Sequence, residues 1–343
     1  MFNKSVLPLM VLVTVMGLLS ACNAGQLESP VASPTVEAQA QPTIPPKTPT
    51  ATPVPLTRPS AAKYHLMFDP DKGQVLVIGA LRTQTDMWSY DVASQRLTRL
   101  PDKPEITVQC LDYHTQARGV VTLSKLSGAT WLFNTKKNEW TELAKGLADS
   151  DAPSIVGYPC FLSYDSGSDK MVSITNGKPC FTGVYDYSTN TWTENKLDPS
   201  PKINAGPMAY DSESDRILMW EALVQKYMWA FDANTNTWER LTYTGGPDDK
   251  GGYLAGMVYI PDMDRTFVYY LDQFYAYDYN TNSWEKAKGD LIPGKRILQS
   301  LAYDPIAKKI VMYGGMDENA TMAFDDLWLY DLQTGEWAKQ PIP

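Results

Sequence analysis

Tyr185-Asp186-Tyr187-Ser188-Thr189-Asn190-Thr191-Trp192 sets an aromatic residue and an Asp before a polar turn, then an Asn, then a Trp. The same frame returns at Phe231-Asp232 to Trp238, Tyr277-Asp278 to Trp284 and Tyr330-Asp331 to Trp337. Worn copies precede it at Phe133-Asn134 to Trp140 and Tyr90-Asp91 to Leu97. From Leu97 through the five Trp positions the spacings are 43, 52, 46, 46 and 53 residues, so six units fill the chain from Ala61 onward. Within each copy the Asp carboxylate can accept backbone N–H groups of the turn. Asn190, Asn236, Asn282 and Gly335 stand where a left-handed residue is wanted, a conformation that Asn and Gly adopt at little cost. A Val there is expected to break the hairpin.

A second signature lies upstream in the units. Leu162-Ser163-Tyr164-Asp165, Met208-Ala209-Tyr210-Asp211 and Leu301-Ala302-Tyr303-Asp304 each precede a short polar turn and an apolar strand such as Ile217–Trp220 or Ile310–Tyr313. His65–Asp69 before Val75–Ile78 is the first copy. Strand, tight turn, strand, loop, strand, tight turn, strand is the order this implies. Such a unit resembles a kelch repeat, and the whole stretch resembles a kelch propeller: all-β, with six blades of four antiparallel strands. The recurrent Trp then reads as packing between neighbouring blades. The paired Gly of that family stands intact only as Gly314-Gly315, and the second unit lacks the turn Asp, having Tyr113-His114. The first unit opens on an inner-type strand and the last ends on an outer-type strand, so the ring is expected to close between complete blades.

The amino terminus reads as an address. Lys4 precedes an apolar run, Val6–Leu19, that has the length of a secretory core and is short for a spanning helix. Leu19-Ser20-Ala21-Cys22 resembles a bacterial lipoprotein box. That resemblance implies a signal peptide over residues 1–21, cleavage before Cys22, and acylation of Cys22 into the bilayer. The protein would then be exported and lipid-anchored at the cell or outer membrane. Asn23–Ser60 holds nine Pro and six Thr and almost no large apolar residue, so residues 22–60 read as a disordered tether. In polyproline II its reach is on the order of 100 Å.

With 39 acidic against 30 Lys and Arg residues, the 343-residue chain has a formal charge of -9, which argues against nucleic-acid binding. Loss of Lys4 with the signal would take this from -9 to -10. Hydrophobic residues at 43% exclude wholesale disorder. Past Cys22 three cysteines remain, so one is left over by count. Cys160 and Cys180 fall at one edge of the third unit and are expected to form a disulfide, with Cys110 a buried free thiol. The alternative, Cys110 with Cys160, would join inner strands of adjacent blades. Cysteine and histidine at metal-ligand spacing do not occur, so no metal or other cofactor is implied.

The kelch resemblance raises copper radical oxidases similar to galactose oxidase, which need two His and two Tyr on the metal. His65 and His114 are the only imidazoles, and His114 holds a turn position. Sialidase-like hydrolases also use six blades, but Ser163–Lys170 lacks the terminal Thr-Trp of their turn motif. A carbohydrate-acting enzyme thus stands as the alternative to a recognition module for a protein, peptide or glycan. Kelch propellers commonly bind partners on the face built from the loops between second and third strands and between blades. In this chain those loops carry Arg82, Trp220, Glu221, Tyr270, Asp272, Arg296, Asp317 and Glu318 as ligand-binding candidates.

Overall fold

The computed structural model describes residues 58–59, 63–124, 128–143, 160–175, 181–201, 206–221, 227–247, 254–289 and 293–342. The expected signal peptide, Cys22 and nearly all of the tether lie outside the described residues. Within them there are 24 strands in six sheets of four and no α-helix. Strands follow chain order in every sheet, and every neighbouring pair is antiparallel. The blades run Tyr64–Leu100, Val108–Glu142, Cys160–Asn195, Met208–Leu241, Gly256–Lys286 and Ser300–Gln340. The first strand of each blade touches the first strand of the next, and the sixth touches the first, so the sheets stand around one axis as a six-bladed β-propeller.

Closure uses no borrowed strand, as the unit boundaries implied. Tyr64, Leu66, Val77 and Trp88 of the first blade pack into one cluster with Val311, Tyr313, Leu327 and Leu329 of the last. The Leu66 N–H donates to Ser300 Oγ at 2.8 Å across that joint. Pro59, inside the stretch read as tether, is buried, and its carbonyl accepts the Tyr313 hydroxyl at 3.2 Å. Pro59, which precedes the expected boundary at Ala61, thus packs on the last blade.

Both tight turns of a blade draw on the same device, the first turn of the fifth blade excepted, where Ile260 stands in the Asp position. An Asp at the strand end accepts N–H groups two and three residues on, and the residue four positions on has positive φ. Between third and fourth strands, Asp186 takes Ser188 N at 2.8 Å and Asp232 takes Asn234 N at 2.9 Å. Asn190, Asn236, Asn282 and Gly335 have φ of 54°, 56°, 50° and 77°, as their residue types anticipate. Between first and second strands, the buried Asp165, Asp211 and Asp304 do the same work. In the second blade His114 replaces the Asp, and its Nδ1 accepts Ala117 N at 3.3 Å.

The Trp of each frame packs on the blade before it. Trp192 Nε1 donates to Thr130 Oγ1 at 2.7 Å and Trp238 Nε1 to Thr182 Oγ1 at 2.8 Å, each one blade back. Trp284 meets Trp220 and Trp337 meets Tyr269 in the same sense. The Tyr of the upstream signature also bridges blades. Tyr113 reaches Asp71, Tyr164 reaches Thr115, and Tyr210 receives Gly167 N at 3.1 Å. In blades three to six a cross-strand ion pair completes the turn end: Lys170–Asp186 at 2.6 Å, Arg216–Asp232 at 3.1 Å, Arg265–Asp278 at 2.7 Å, and Lys309–Asp331.

Candidate functional site

Because every first strand runs the same way, the ring has two unlike faces. Tight turns close one of them, the turn face. The connections between second and third strands and between blades gather on the other, the loop face. Along the axis the six inner strands enclose a tunnel of about 470 Å³. Its wall is mostly aliphatic, with Leu66, Leu111, Leu162, Met257 and Leu301 among the contributors. The inner strands begin at the loop face, so Lys63, Gln109, Ala255 and Gln299 rim the loop-face mouth.

Among the shifted ionisable groups on the tunnel wall are His65 and Asp112. His65 donates through Nε2 to the Val108 carbonyl at 3.1 Å, tying the first blade to the second. Burial, with Lys63 adding to it, holds its pKa down to about 3, so the ring is neutral. Asp112 is half-buried and lies on the same wall. Its carboxylate accepts Tyr113 N and Tyr164 N, both at 2.7 Å, and burial pushes its pKa up to about 6 against those two donors and the Ser163 side chain. His114 is fully buried at the opposite end of its strand, against Tyr164 at 4.4 Å between ring centres. The two imidazoles therefore serve a backbone carbonyl and a turn, at opposite ends of neighbouring inner strands. No cluster of three or more His, Cys, Asp or Glu arranged to hold a metal is found among the described residues.

The candidates read from the sequence separate into two groups. Trp220 is fully buried, stacked near Trp284, with Nε1 donating to Tyr243 Oη at 3.3 Å. Tyr270 is buried beside it, and Glu221 is buried as acceptor for Trp229 Nε1 at 2.5 Å. Arg296 is buried too, with Nη1 on Asp326 Oδ1 at 2.7 Å, Nη2 on the Pro293 carbonyl at 2.6 Å, and Phe324 beneath the guanidinium. These four support the loops from within and do not present a surface to a ligand. Arg82, Asp272 and Glu318 are exposed, Arg82 facing Glu105 at 3.5 Å and Glu318 facing Lys295 at 3.6 Å. Asp317 folds its own loop by accepting Thr321 N at 2.6 Å and Met322 N at 2.7 Å. That loop and the one in the first blade expose Met322 and Leu81 on neighbouring blades of this face.

The contacts made by the carboxylates that enter third strands were not read from residue patterns. Asp86 accepts Tyr64 Oη at 2.6 Å and Trp88 Nε1 at 2.9 Å, and Asp326 accepts Trp328 Nε1 at 2.8 Å. The shared Asp-x-Trp spacing at 86–88 and 326–328 was the available signal. Cys110 is disulfide-bonded, which corrects the expectation of a free thiol. Its partner, the Cys160 side chain and Cys180 lie outside the described residues, so the expected Cys160–Cys180 pairing is not settled by the described part.

Six four-stranded blades, closed without strand exchange around an apolar tunnel, define the class as a six-bladed β-propeller. Among solved structures, that of YjhT is similar in fold: TM-score 0.52 at 14% identity, over 83% of this chain and 99% of that one. No protein-family model matches the chain, and no curated protein does.

Proposed function

We propose that this chain is a kelch-type recognition module, exported and held at a membrane by acylated Cys22, that takes a protein, peptide or glycan at its loop face. The observation that carries the reading is the tunnel. At about 470 Å³ it falls in the range of small-ligand sites, is walled by apolar side chains, and opens among loops that differ from blade to blade. A ligand can seat on the exposed rim, with Arg82, Asp272, Glu318, Leu81 and Met322, while inserting a side chain or chain end at the mouth. The disulfide at Cys110 supports an oxidising compartment. The lipobox residues and the Pro/Thr-rich segment support anchoring at a distance from the bilayer.

The test is a peptide and glycan array probed with the full chain, repeated with Ala255→Trp to fill the mouth. Loss of the captured ligand in the variant supports the reading, and unchanged capture rejects it. Separately, Cys22→Ala should abolish partitioning into a detergent phase, and persistence would reject the anchor.

A further inference from the structure

Asp112 occupies an unusual position among the buried and half-buried carboxylates. Asp165, Asp211 and Asp304 are spent on capping turns, Asp326 is paired with Arg296, and Asp86 and Glu221 hold indole N–H groups. Asp112 accepts two backbone N–H groups and is approached by the Ser163 side chain, but it has no ion-pair partner among the described residues, and it borders open tunnel. Among the described residues it is also the only Asp or Glu in the tunnel wall. The basic groups in that wall are Lys63, at the mouth, and His65, already committed to the Val108 carbonyl. An ionised carboxylate facing an apolar cavity is costly unless a cation or a donor meets it. Its depth is defined by the strand: three residues past Gln109 at the mouth, or roughly 10 Å at the rise of a β-strand.

We propose that the tunnel binds a slender apolar group ending in a protonated amine, with the ammonium donating to the Asp112 carboxylate and the apolar portion lying between Asp112 and the loop-face mouth. The inference rests on the tunnel being the ligand site and adds the chemistry of what enters it. A lysine-like side chain on a peptide and a free alkylamine share this chemistry. Insertion from the mouth lets the rest of a larger ligand remain on the rim. A carboxylate-ended group of the same shape would meet Asp112 with like charge and is excluded.

The experiment titrates the full chain at pH 7.5 with three probes of one skeleton: 4-phenylbutylamine, 4-phenylbutanol and 4-phenylbutyrate. The amine is expected to bind about tenfold tighter than the alcohol, the scale of a charge-assisted hydrogen bond after desolvation, with the carboxylate weakest. This comparison needs no variant, so it does not depend on a substituted protein folding. In Asp112→Asn, checked for a native circular-dichroism spectrum, the preference for amine over alcohol should fall to within about twofold while alcohol binding is retained. A peptide carrying an accessible lysine, compared with its acetyl-lysine form, separates a side-chain ligand from a free amine. Equal binding of amine and carboxylate, or a preference that survives in folded Asp112→Asn, overturns the inference while leaving the tunnel as the site. Failure of all three probes to bind overturns the inference as well, and the array experiment with Ala255→Trp then decides the tunnel reading separately.

Discussion

On the turn face the blades share one chemistry, in which an Asp or His caps the turn, a residue of positive φ reverses the chain, and a Tyr hydroxyl reaches the neighbouring turn; the first blade has Phe68 in place of the Tyr and the fifth has Ile260 in place of the Asp. On the loop face the blades part company. The fifth blade crosses from second to third strand by the two residues Leu271 and Asp272, while the sixth uses the long stretch from Gly314 to Asp326. One end of the ring thus carries the interactions that hold blades in place, and the other is free to vary. The exception is the blade-six loop, where the buried Arg296–Asp326 pair gives the variable face a fixed internal support.

Substitutions at the two ends measure this contrast. Trp337→Ala removes an indole packed on Tyr269 and Phe274 of the preceding blade and should cost about 3–5 kcal/mol in chemical denaturation. A loss under 1 kcal/mol would mean that the recurrent Trp does not hold blades together. Asp326→Ala should rival it, at about 3–5 kcal/mol, because Arg296 stays buried with only carbonyl oxygens as partners. A neutral result there would make the loop face uniformly dispensable. Cys110→Ser should cost roughly 2–4 kcal/mol. Non-reducing peptide mapping is expected to link Cys110 to Cys160, whose backbone opens the next inner strand, and a link to Cys180 would refute that pairing.

Acid should separate the two tunnel-wall groups. The folded pKa of His65 is about 3 against an ordinary 6.5, so below pH 6.5 the unfolded chain takes up a proton that the folded chain refuses. Stability is therefore lost as pH falls through that interval, by up to about 2 kcal/mol at pH 5. Asp112 acts with opposite sign: its folded pKa of about 6 lies above the ordinary 3.8, so stability is gained as pH falls from 6 toward 3.8. Denaturation of His65→Gln across pH 4–7, compared with wild type, should show the acid loss removed and the gain exposed. Identical pH profiles would rule out His65 as a neutral, buried donor. The smallest effect belongs to the turn: Asn236→Val should cost about 1–2 kcal/mol at a φ of 56°, and Asn236→Gly only a few tenths. Equal costs for the two would show that backbone conformation does not matter there.

Why the turn face was legible and the loop face was not follows from the range of the interactions. Asp186, Ser188 and Asn190 act on each other within five residues, so their order along the chain already contains the hairpin. Trp220 was read as a surface residue because it borders a loop. Yet its strand, Arg216–Glu221, is buried on both sides by neighbouring blades and shows no alternation that could mark an outward position. Arg296 owes its burial to Asp326, thirty residues away, and the tunnel exists only once six distant strands meet. The role of the signature Tyr was likewise hidden, since its partner sits on the preceding blade.

The seam between the first and last blades is held without strand pairing, and the first strand of the first blade begins, and the last strand of the sixth ends, at the loop face. Leu100 and Val108, the corresponding ends at the next joint, are bridged by the seven residues 101–107. With residues 1–57 removed, a similar bridge from Ile342 back to Arg58 would close the blades into a circular chain, and reopening it at any other joint would leave every sheet intact. The order of the blades along the chain is therefore not required by the sheets themselves, and whole blades are the natural units for permuting or recombining this architecture.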